Sequence, residues 1–377
     1  MKIAFIGQKG IPAKFGGVER HVEELAAQMA EQGHQIFVYV RNNYTDKKLK
    51  ERRGVKLIHL PGISTKHLDA ISHTFLATIH SLFQDYDVIH YQAIGPSSLS
   101  WIVKLLKRKT VLVSTFHCQD YYHQKWNWLA RKYLHISERI ACKIPDGIIA
   151  VSKTLREHAL KKYGVSAALI PNGSKANPNF GNEALIKWNL KEKKYILFVG
   201  RLIKHKGVHY AIEAFKQMED TNKVANNFKL VIVGGGFHTD DYVKYLKTIS
   251  EKRDNIIFTG NQTGKNLDQL FTHTYLFVQP SESEGLSIAL LEAMGYGIAP
   301  LVSDIKENLE ATGKAGFSFE TKNIQDLKNK LAYLLNKESE VEMMGKKAKK
   351  RAQEKFSWES IARKTVQVYR ELAINKK

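Results

Sequence analysis

The sequence predicts an α/β protein of two doubly wound domains facing a common cleft, and three observations carry that expectation. The chain has 377 residues, more than one core usually fills, because single hydrophobic cores stop growing near ~250–300 residues. Apolar runs of strand length, several closed by glycine, alternate with helical patterns from the first residues onward. That alternation breaks in the turn-rich stretch 171–182 and then restarts. A content of 43% hydrophobic and 25% charged residues leaves ample surface to bury and excludes disorder.

Taken in order, Lys2 to Gly7 reads as a buried strand, Val18, Val22, Leu25, Ala26 and Met29 mark one helix face, and Gln35 to Val40 is the next strand. Strands are expected again at Lys56 to Leu60, Val88 to Tyr91, Thr110 to Thr115 and Gly147 to Val151. A helix from Ser152 to Tyr163 and a short strand at Ala168 to Ile170 complete a first domain over 1–172. Strands separated by helices pair in parallel and need helices on both faces, giving a Rossmann-like layer. A linker is expected over 173–192, followed by a second domain over 193–356. Its strands read as Tyr195 to Gly200, Lys229 to Gly234, Asn255 to Gly260, Tyr275 to Pro280 and Ile298 to Val302. The segment 357–377 is amphipathic through Ile361, Val366, Tyr369 and Leu372, a helix suited to closing back on the first domain.

Two cysteines, Cys118 and Cys142, cannot build a disulfide framework or a four-ligand zinc site, so a reduced, cytoplasmic protein with no metal role is expected. The apolar run before Gly7 is too short for a signal-peptide core, and no run reaches the ~18 apolar residues of a membrane span. The net charge is +21, of which +13 falls in residues 1–175 and +8 in the rest. A field of that sign recruits nucleic acid, an anionic bilayer or phosphorylated substrates. Two segments favour a membrane surface: Trp101 with Lys104, Lys107, Arg108 and Lys109 in an amphipathic basic helix, and the aromatic-basic stretch Tyr121 to Arg139, with Trp126, Trp128, Arg131 and Lys132. Neither carries a nucleic-acid fold signature, so no nucleic-acid partner is expected.

Three strand–helix turns carry the chemistry. Gly16 and Gly17 open the first long helix, where residues without Cβ let backbone N–H groups approach a phosphate or a hydroxyl. Arg201 and Lys206 project from the loop after the first strand of the second domain, a pair that can hold a diphosphate and stabilise it as it leaves. The most specific segment runs from Pro280 to Gly295. There Glu284 lies in the loop, Gly285 permits a tight turn, Leu286, Ser287 and Ile288 offer N–H groups to a phosphate, and Glu292 can lean back from the helix toward the same ligand. Carboxylates accept from vicinal hydroxyls, so one suits a sugar ring and the other a ribose.

With these residues in place the chain resembles the retaining glycosyltransferases of family 4, which have the GT-B fold. The resemblance rests on the E-x7-E pair Glu284 and Glu292, the G-R-x4-K-G loop around Arg201 and Lys206, and the pair Gly16 and Gly17. The opening from Ile6 to Glu19, the segment Asp87 to Tyr91 and Lys125-Trp126 are similar to a bacterial rhamnosyltransferase-like subgroup of surface-polysaccharide assembly. The resemblance implies transfer from a nucleoside diphosphate sugar, without a metal or other cofactor, to a glycan acceptor, which can be lipid-linked, held by the first domain. It implies that Gly16, Gly17, Arg201 and Lys206 bind the diphosphate, Glu284 the sugar hydroxyls and Glu292 the ribose, with His117 beside the transferred sugar. Here Cys118 and Gln119 separate His117 from Asp120, where the family often has an aspartate directly. The same fold could also serve a sugar-nucleotide epimerase or phosphorylase, or a non-catalytic membrane or nucleic-acid binder.

Overall fold

The computed structural model describes residues 1–65, 68–119, 128–221, 227–236 and 239–376. The chain divides into two compact units, Met1–Asn172 together with the segment from Trp358 onward, and Gly173–Ser357.

Unit 1 is built on eight strands: β1 (Lys2–Ile6), β2 (Gln35–Arg41), β3 (Glu51–Arg52), β4 (Val55–Leu60), β5 (Val88–Gln92), β6 (Val111–Phe116), β7 (Gly147–Ala150) and β8 (Ala168–Leu169). They lie in the order β3-β4-β2-β1-β5-β6-β7-β8. All pair in parallel except β3, a two-residue strand antiparallel to β4. Ile3, Ala4, Phe5 and Ile6 are all buried, as expected of a central strand covered on both faces. The final helix, Trp358–Ile374, packs on the first, Gly17–Glu31. Its Tyr369 hydroxyl meets His90 Nδ1 at 2.6 Å, and Leu372 fills the space beside Gly147.

Unit 2 holds β9 (Tyr195–Val199), β10 (Lys229–Val233), β11 (Ile256–Gly260), β12 (Leu276–Gln279), β13 (Ala299–Ser303) and β14 (Phe317–Phe319) in the order β11-β10-β9-β12-β13-β14, all parallel. Ile196, Phe198, Leu230 and Ile232 join Val208, Ile212 and Phe215 of helix Val208–Glu219 and Leu327 and Leu331 of helix Ile324–Leu334 in one core. The segment read as a linker, 173–192, belongs to this unit. Ala184 N donates to Gln269 Oε1 at 2.8 Å and Ser174 Oγ to the Leu291 carbonyl at 2.7 Å. Turn residues mark irregular backbone, which here is satisfied by side chains of the unit it packs on.

Each sheet reverses its strand order once at its centre, between β1 and β5 in unit 1 and between β9 and β12 in unit 2. In open α/β sheets a crevice for ligands forms outside the carboxyl ends of the strands at such a switch point. In unit 2 only Leu276↔Ile196 and Phe277↔Leu197 pair across the switch, so the carboxyl ends of β9 and β12 separate and the loops 200–207 and 280–287 frame the gap.

Candidate active site

At the switch point of unit 2 the two loops are fastened together. The 3₁₀ turn Lys204–Lys206 ends at Gly207, whose φ of +68° starts the next helix. A side chain at Gly207 would collide with the Pro280 carbonyl, so the close approach and the left-handed backbone both require glycine. Glu282 N donates to the His205 carbonyl at 2.7 Å, and the Tyr210 hydroxyl donates to Glu282 Oε1 at 2.8 Å. Burial and the adjacent Glu282 carboxylate push the Tyr210 phenol up to about 12.

Across this junction Lys206 Nζ donates to both carboxylate oxygens of Glu284, at 2.6 and 2.7 Å, and Ser281 Oγ adds a third bond at 2.7 Å. The Lys206 and Glu284 side chains are only 17% and 7% exposed. The structure therefore joins two residues that stand 78 apart in sequence. Arg201, half-buried just beyond β9, has no side-chain hydrogen bond or ion pair among the described residues. One cation at this crevice is neutralised and its neighbour is not.

The loop bearing Glu284 is held from behind by a chain of polar side chains, of which Gln279, Asn308 and Ser303 were not singled out from the sequence. Ser287 Oγ donates to Gln279 Oε1 at 2.8 Å, Gln279 Nε2 to Asn308 Oδ1 at 2.8 Å, and Asn308 Nδ2 to Ser303 Oγ at 2.9 Å. Ser303 Oγ bonds in turn to the Ser281 carbonyl at 2.5 Å. Ser287 is also the N-cap of helix Ile288–Tyr296, accepting from Leu290 N. Leu286, Ser287 and Ile288 thus sit at that helix N-terminus, where the first-turn N–H groups lack intrahelical partners, while Gly285 is buried between them and Glu284. Glu292 lies within the helix and is 7% exposed.

The loop after β1 in unit 1 is pinned by acids of the first helix: Lys9 N donates to Glu19 Oε1 at 3.2 Å and Ala13 N to Glu23 Oε2 at 2.9 Å. Lys14 N donates to the Tyr44 hydroxyl at 2.7 Å, a phenol that burial pushes up to about 12. Gly16 caps the helix with a φ of +101°, and a side chain there would strike Glu19. Gly17 faces open space, with nothing within 4 Å of where its Cβ would be.

His117 stands one residue past β6, 7% exposed, with Nε2 at 2.8 Å from Gln92 Oε1. The His21 ring meets it edge-on at 4.7 Å, and His21 Nδ1 lies 2.9 Å from Asn172 Oδ1. Burial lowers His21 to about 4, and it holds His90 and His117 well below the usual imidazole range. The group is three neutral imidazoles. Gln92, His21 and Asn172 were not singled out from the sequence; the signal available was Gln92, a polar side chain closing the buried run Val88 to Tyr91.

The basic segments of unit 1 are placed unevenly. Helix Ser100–Leu106 leaves Trp101, Leu105 and Leu106 exposed. Lys104 is ion-paired to Asp146 and Lys107 bonds to the Gln84 carbonyl, whereas Arg108 and Lys109 are exposed beyond the helix end. Helix Trp128–Lys143 shows Trp128 at 70% exposure, with Arg131 and Lys132 also exposed, beside a groove of about 540 Å³ lined further by Ile136, Arg139 and Tyr163. Trp126, with Tyr121, Tyr122 and Lys125, lies outside the described residues. Among the described residues no helix is long and apolar enough to cross a membrane, and no group of three or more His, Cys, Asp or Glu is placed to hold a metal ion.

Residues 15–175 match the model of Glycosyltransferase Family 4, and residues 182–351 that of Glycosyl transferases group 1. An uncharacterized glycosyltransferase of Methanocaldococcus jannaschii is 27% identical, with 98% of each chain covered. Among solved structures, sucrose-phosphate synthase from Thermosynechococcus elongatus superposes with a TM-score of 0.81 at 20% identity, covering 98% of each chain. Anabaena HepE in complex with UDP-glucose superposes with a TM-score of 0.80 at 18% identity, covering 98% of this chain and 100% of that one. With a glycosyltransferase model on each of its two Rossmann-like units, the chain is a glycosyltransferase of the GT-B fold.

Proposed function

We propose that this enzyme takes its sugar from a nucleoside diphosphate donor bound by unit 2 and transfers it, with retained anomeric configuration, to a glycan acceptor bound by unit 1. The observation that carries the reading is the Lys206–Glu284 pair beside an Arg201 that has no partner among the described residues, at the switch point of β9 and β12. An arriving diphosphate gives Arg201 a partner and competes for Lys206, and the released Glu284 carboxylate accepts from sugar hydroxyls. Leu286, Ser287 and Ile288 bring the positive end of a helix to the phosphates and Glu292 takes the ribose, while in unit 1 Gly16 and Gly17 offer backbone N–H groups to a phosphate. As the sugar–oxygen bond breaks, Arg201 and Lys206 stabilise the departing diphosphate, so no metal is required. The acceptor hydroxyl attacks from the face the diphosphate leaves, forming the new sugar–oxygen bond as its proton passes to the departing phosphate oxygen. The donor complex of HepE supports the nucleotide-sugar reading by likeness of fold.

The acceptor is a lipid-linked glycan of cell-surface polysaccharide assembly, as in the rhamnosyltransferase-like subgroup, reached from the inner, anionic face of the cell membrane. Exposed Trp101 and Trp128 with Arg108, Lys109, Arg131 and Lys132 support docking there. Each such cation contributes about 1 kcal/mol near an anionic surface, and Lys104 and Lys107 contribute less because they are already bound within the fold. Nucleotide sugars screened by thermal stabilisation identify the donor, and proton NMR of the product formed with chelator present reads its anomer. A retained anomer with undiminished activity is expected; an inverted anomer, or activity lost to chelation, overturns the mechanism. Co-sedimentation with anionic but not neutral vesicles, abolished when Arg108, Lys109, Arg131 and Lys132 become Glu, is the expected membrane result; equal pelleting with both overturns docking.

A further inference from the structure

We infer that Gln92 is a positioning residue: its side-chain carbonyl fixes the His117 imidazole as the Nε2–H tautomer and so leaves the Nδ1 lone pair to accept from a substrate hydroxyl. The inference rests on the reading of unit 1 as part of the transferase site and names what His117 recognises there, an uncharged hydroxyl donor.

A carbonyl oxygen only accepts, so with Gln92 Oε1 at 2.8 Å the proton belongs on His117 Nε2. A neutral imidazole carries one N–H, and its other nitrogen is then an acceptor. Nδ1 of His117 has no partner among the described residues. The ring is kept neutral first by its burial and then by the titratable groups near it, His21 from helix Gly17–Glu31, which meets it edge-on, and His90 from β5, since a proton on any one disfavours a proton on the others. His90 is itself held at both nitrogens, by Tyr369 and by Thr115 Oγ1, each at 2.6 Å.

This arrangement is costly in a way packing does not explain. Gln92 is fully buried, and among the described residues its amide nitrogen has no hydrogen-bond partner; His21 Nε2 is buried and likewise unsatisfied among them. Buried orphan polar atoms are rare in native proteins, and a leucine or methionine would close β5 without one. What Gln92 supplies and they cannot is the acceptor that orders His117. A hydroxyl suits the resulting Nδ1 lone pair; a phosphate or carboxylate, which is acceptor-only when ionised, would be repelled by it.

The test is two-part and uses the full-length chain. Long-range proton–nitrogen NMR of the ligand-free, histidine-labelled protein, assigned with His117→Gln, reads the tautomer without any substrate and so is independent of the transfer assay. Nε2 protonated and Nδ1 bare is the expected result; Nδ1–H, or a rapid mixture, overturns the proposal even if the enzyme proves to be a transferase. In the assay, Gln92→Leu should lower kcat about tenfold with donor KM unchanged, and its His117 should show mixed tautomers. Gln92→Glu retains the acceptor and so the tautomer, but its charge favours the imidazolium, so activity should be rescued at pH 8 and lost on an acid limb absent from the native enzyme. A Gln92→Glu pH profile identical to the native one, in a protein that still folds, overturns it as well.

Discussion

The two switch points present opposite chemistry on the same topology. In unit 1 the carboxyl ends of β5 and β6 carry Gln92 and His117, beside His90 within β5 and His21 of helix Gly17–Glu31, and burial holds all three imidazoles uncharged. In unit 2 the loops after β9 and β12 carry a full charge pair, Lys206 and Glu284, beside the Arg201 guanidinium, which has no partner among the described residues. Neutral donors and acceptors match hydroxyl-rich ligands, and concentrated positive charge matches a diphosphate. A fold repeated twice thus carries different charge at its two copies, and the proposed division of donor and acceptor between them rests on that difference.

The largest effects should come from breaking the charged crevice. On the proposed mechanism Arg201→Ala or Lys206→Ala removes a donor to the leaving group, and kcat should fall by about 10²–10³, whereas Lys346→Ala, exposed on helix Glu338–Lys355 of the same unit, should leave it unchanged. Stopped transfer assays at saturating donor check this; full activity in either variant would remove the cations from the reaction.

The neutral crevice should announce itself in acid. Burial lowers His21 to about 4 in the folded protein, from about 6.5 for a free imidazole, so between those values the unfolded chain binds more protons. The corresponding stability is complete above about pH 6.5 and is lost as the pH falls through 4, amounting to about 3 kcal/mol for His21 at the low end. Urea unfolding at pH 7.5 and pH 5 should show the native protein losing about 2 kcal/mol more than His21→Gln across that interval; parallel losses would mean the imidazole is not buried neutral.

Glycines sharpen the contrast at smaller cost. Gly207→Ala places a side chain on left-handed backbone against the Pro280 carbonyl and should destabilise unit 2 by about 1–3 kcal/mol. Gly17→Ala meets nothing and should leave thermal stability unchanged or slightly raised. If a ligand approaches that open backbone, the same Gly17→Ala protein should bind donor less tightly despite its intact fold, which calorimetry and a melting curve on one sample can separate.

Much of the framework was legible because it is local. Buried strands such as Lys2 to Ile6 and Tyr195 to Val199 announce themselves by apolar runs, and the loop motifs at Gly16, Arg201 and Glu284 sit in contiguous sequence. Elements missed were β3 and β14, two and three residues long, too short for a period of two to register. Pairing was the harder loss. Nothing in a linear motif says that Lys206 neutralises Glu284, that Asp146 captures Lys104, or that Gln92, His21 and His117 converge from three different elements. Such contacts are created by strand order, which a single sequence does not display. The expected basic helix illustrates the same point: Trp101 is exposed, but helix Ser100–Leu106 ends before Lys107, Arg108 and Lys109, and Lys104 and Lys107 are bound within the fold.

The division of labour between the two crevices is tested most directly by titrating UDP, GDP, ADP and dTDP calorimetrically and carrying the tightest into four proteins: native, Arg201→Ala, Glu284→Gln and His117→Ala. Loss of the Arg201 guanidinium should weaken the diphosphate at least tenfold, the scale of a charge-assisted hydrogen bond of about 1.5–3 kcal/mol. Glu284→Gln frees the Lys206 ammonium and should tighten the sugar-free diphosphate, while His117→Ala should leave its affinity unchanged. Equal affinity for all four proteins, or a greater loss in His117→Ala than in Arg201→Ala, would contradict the assignment of the diphosphate to unit 2.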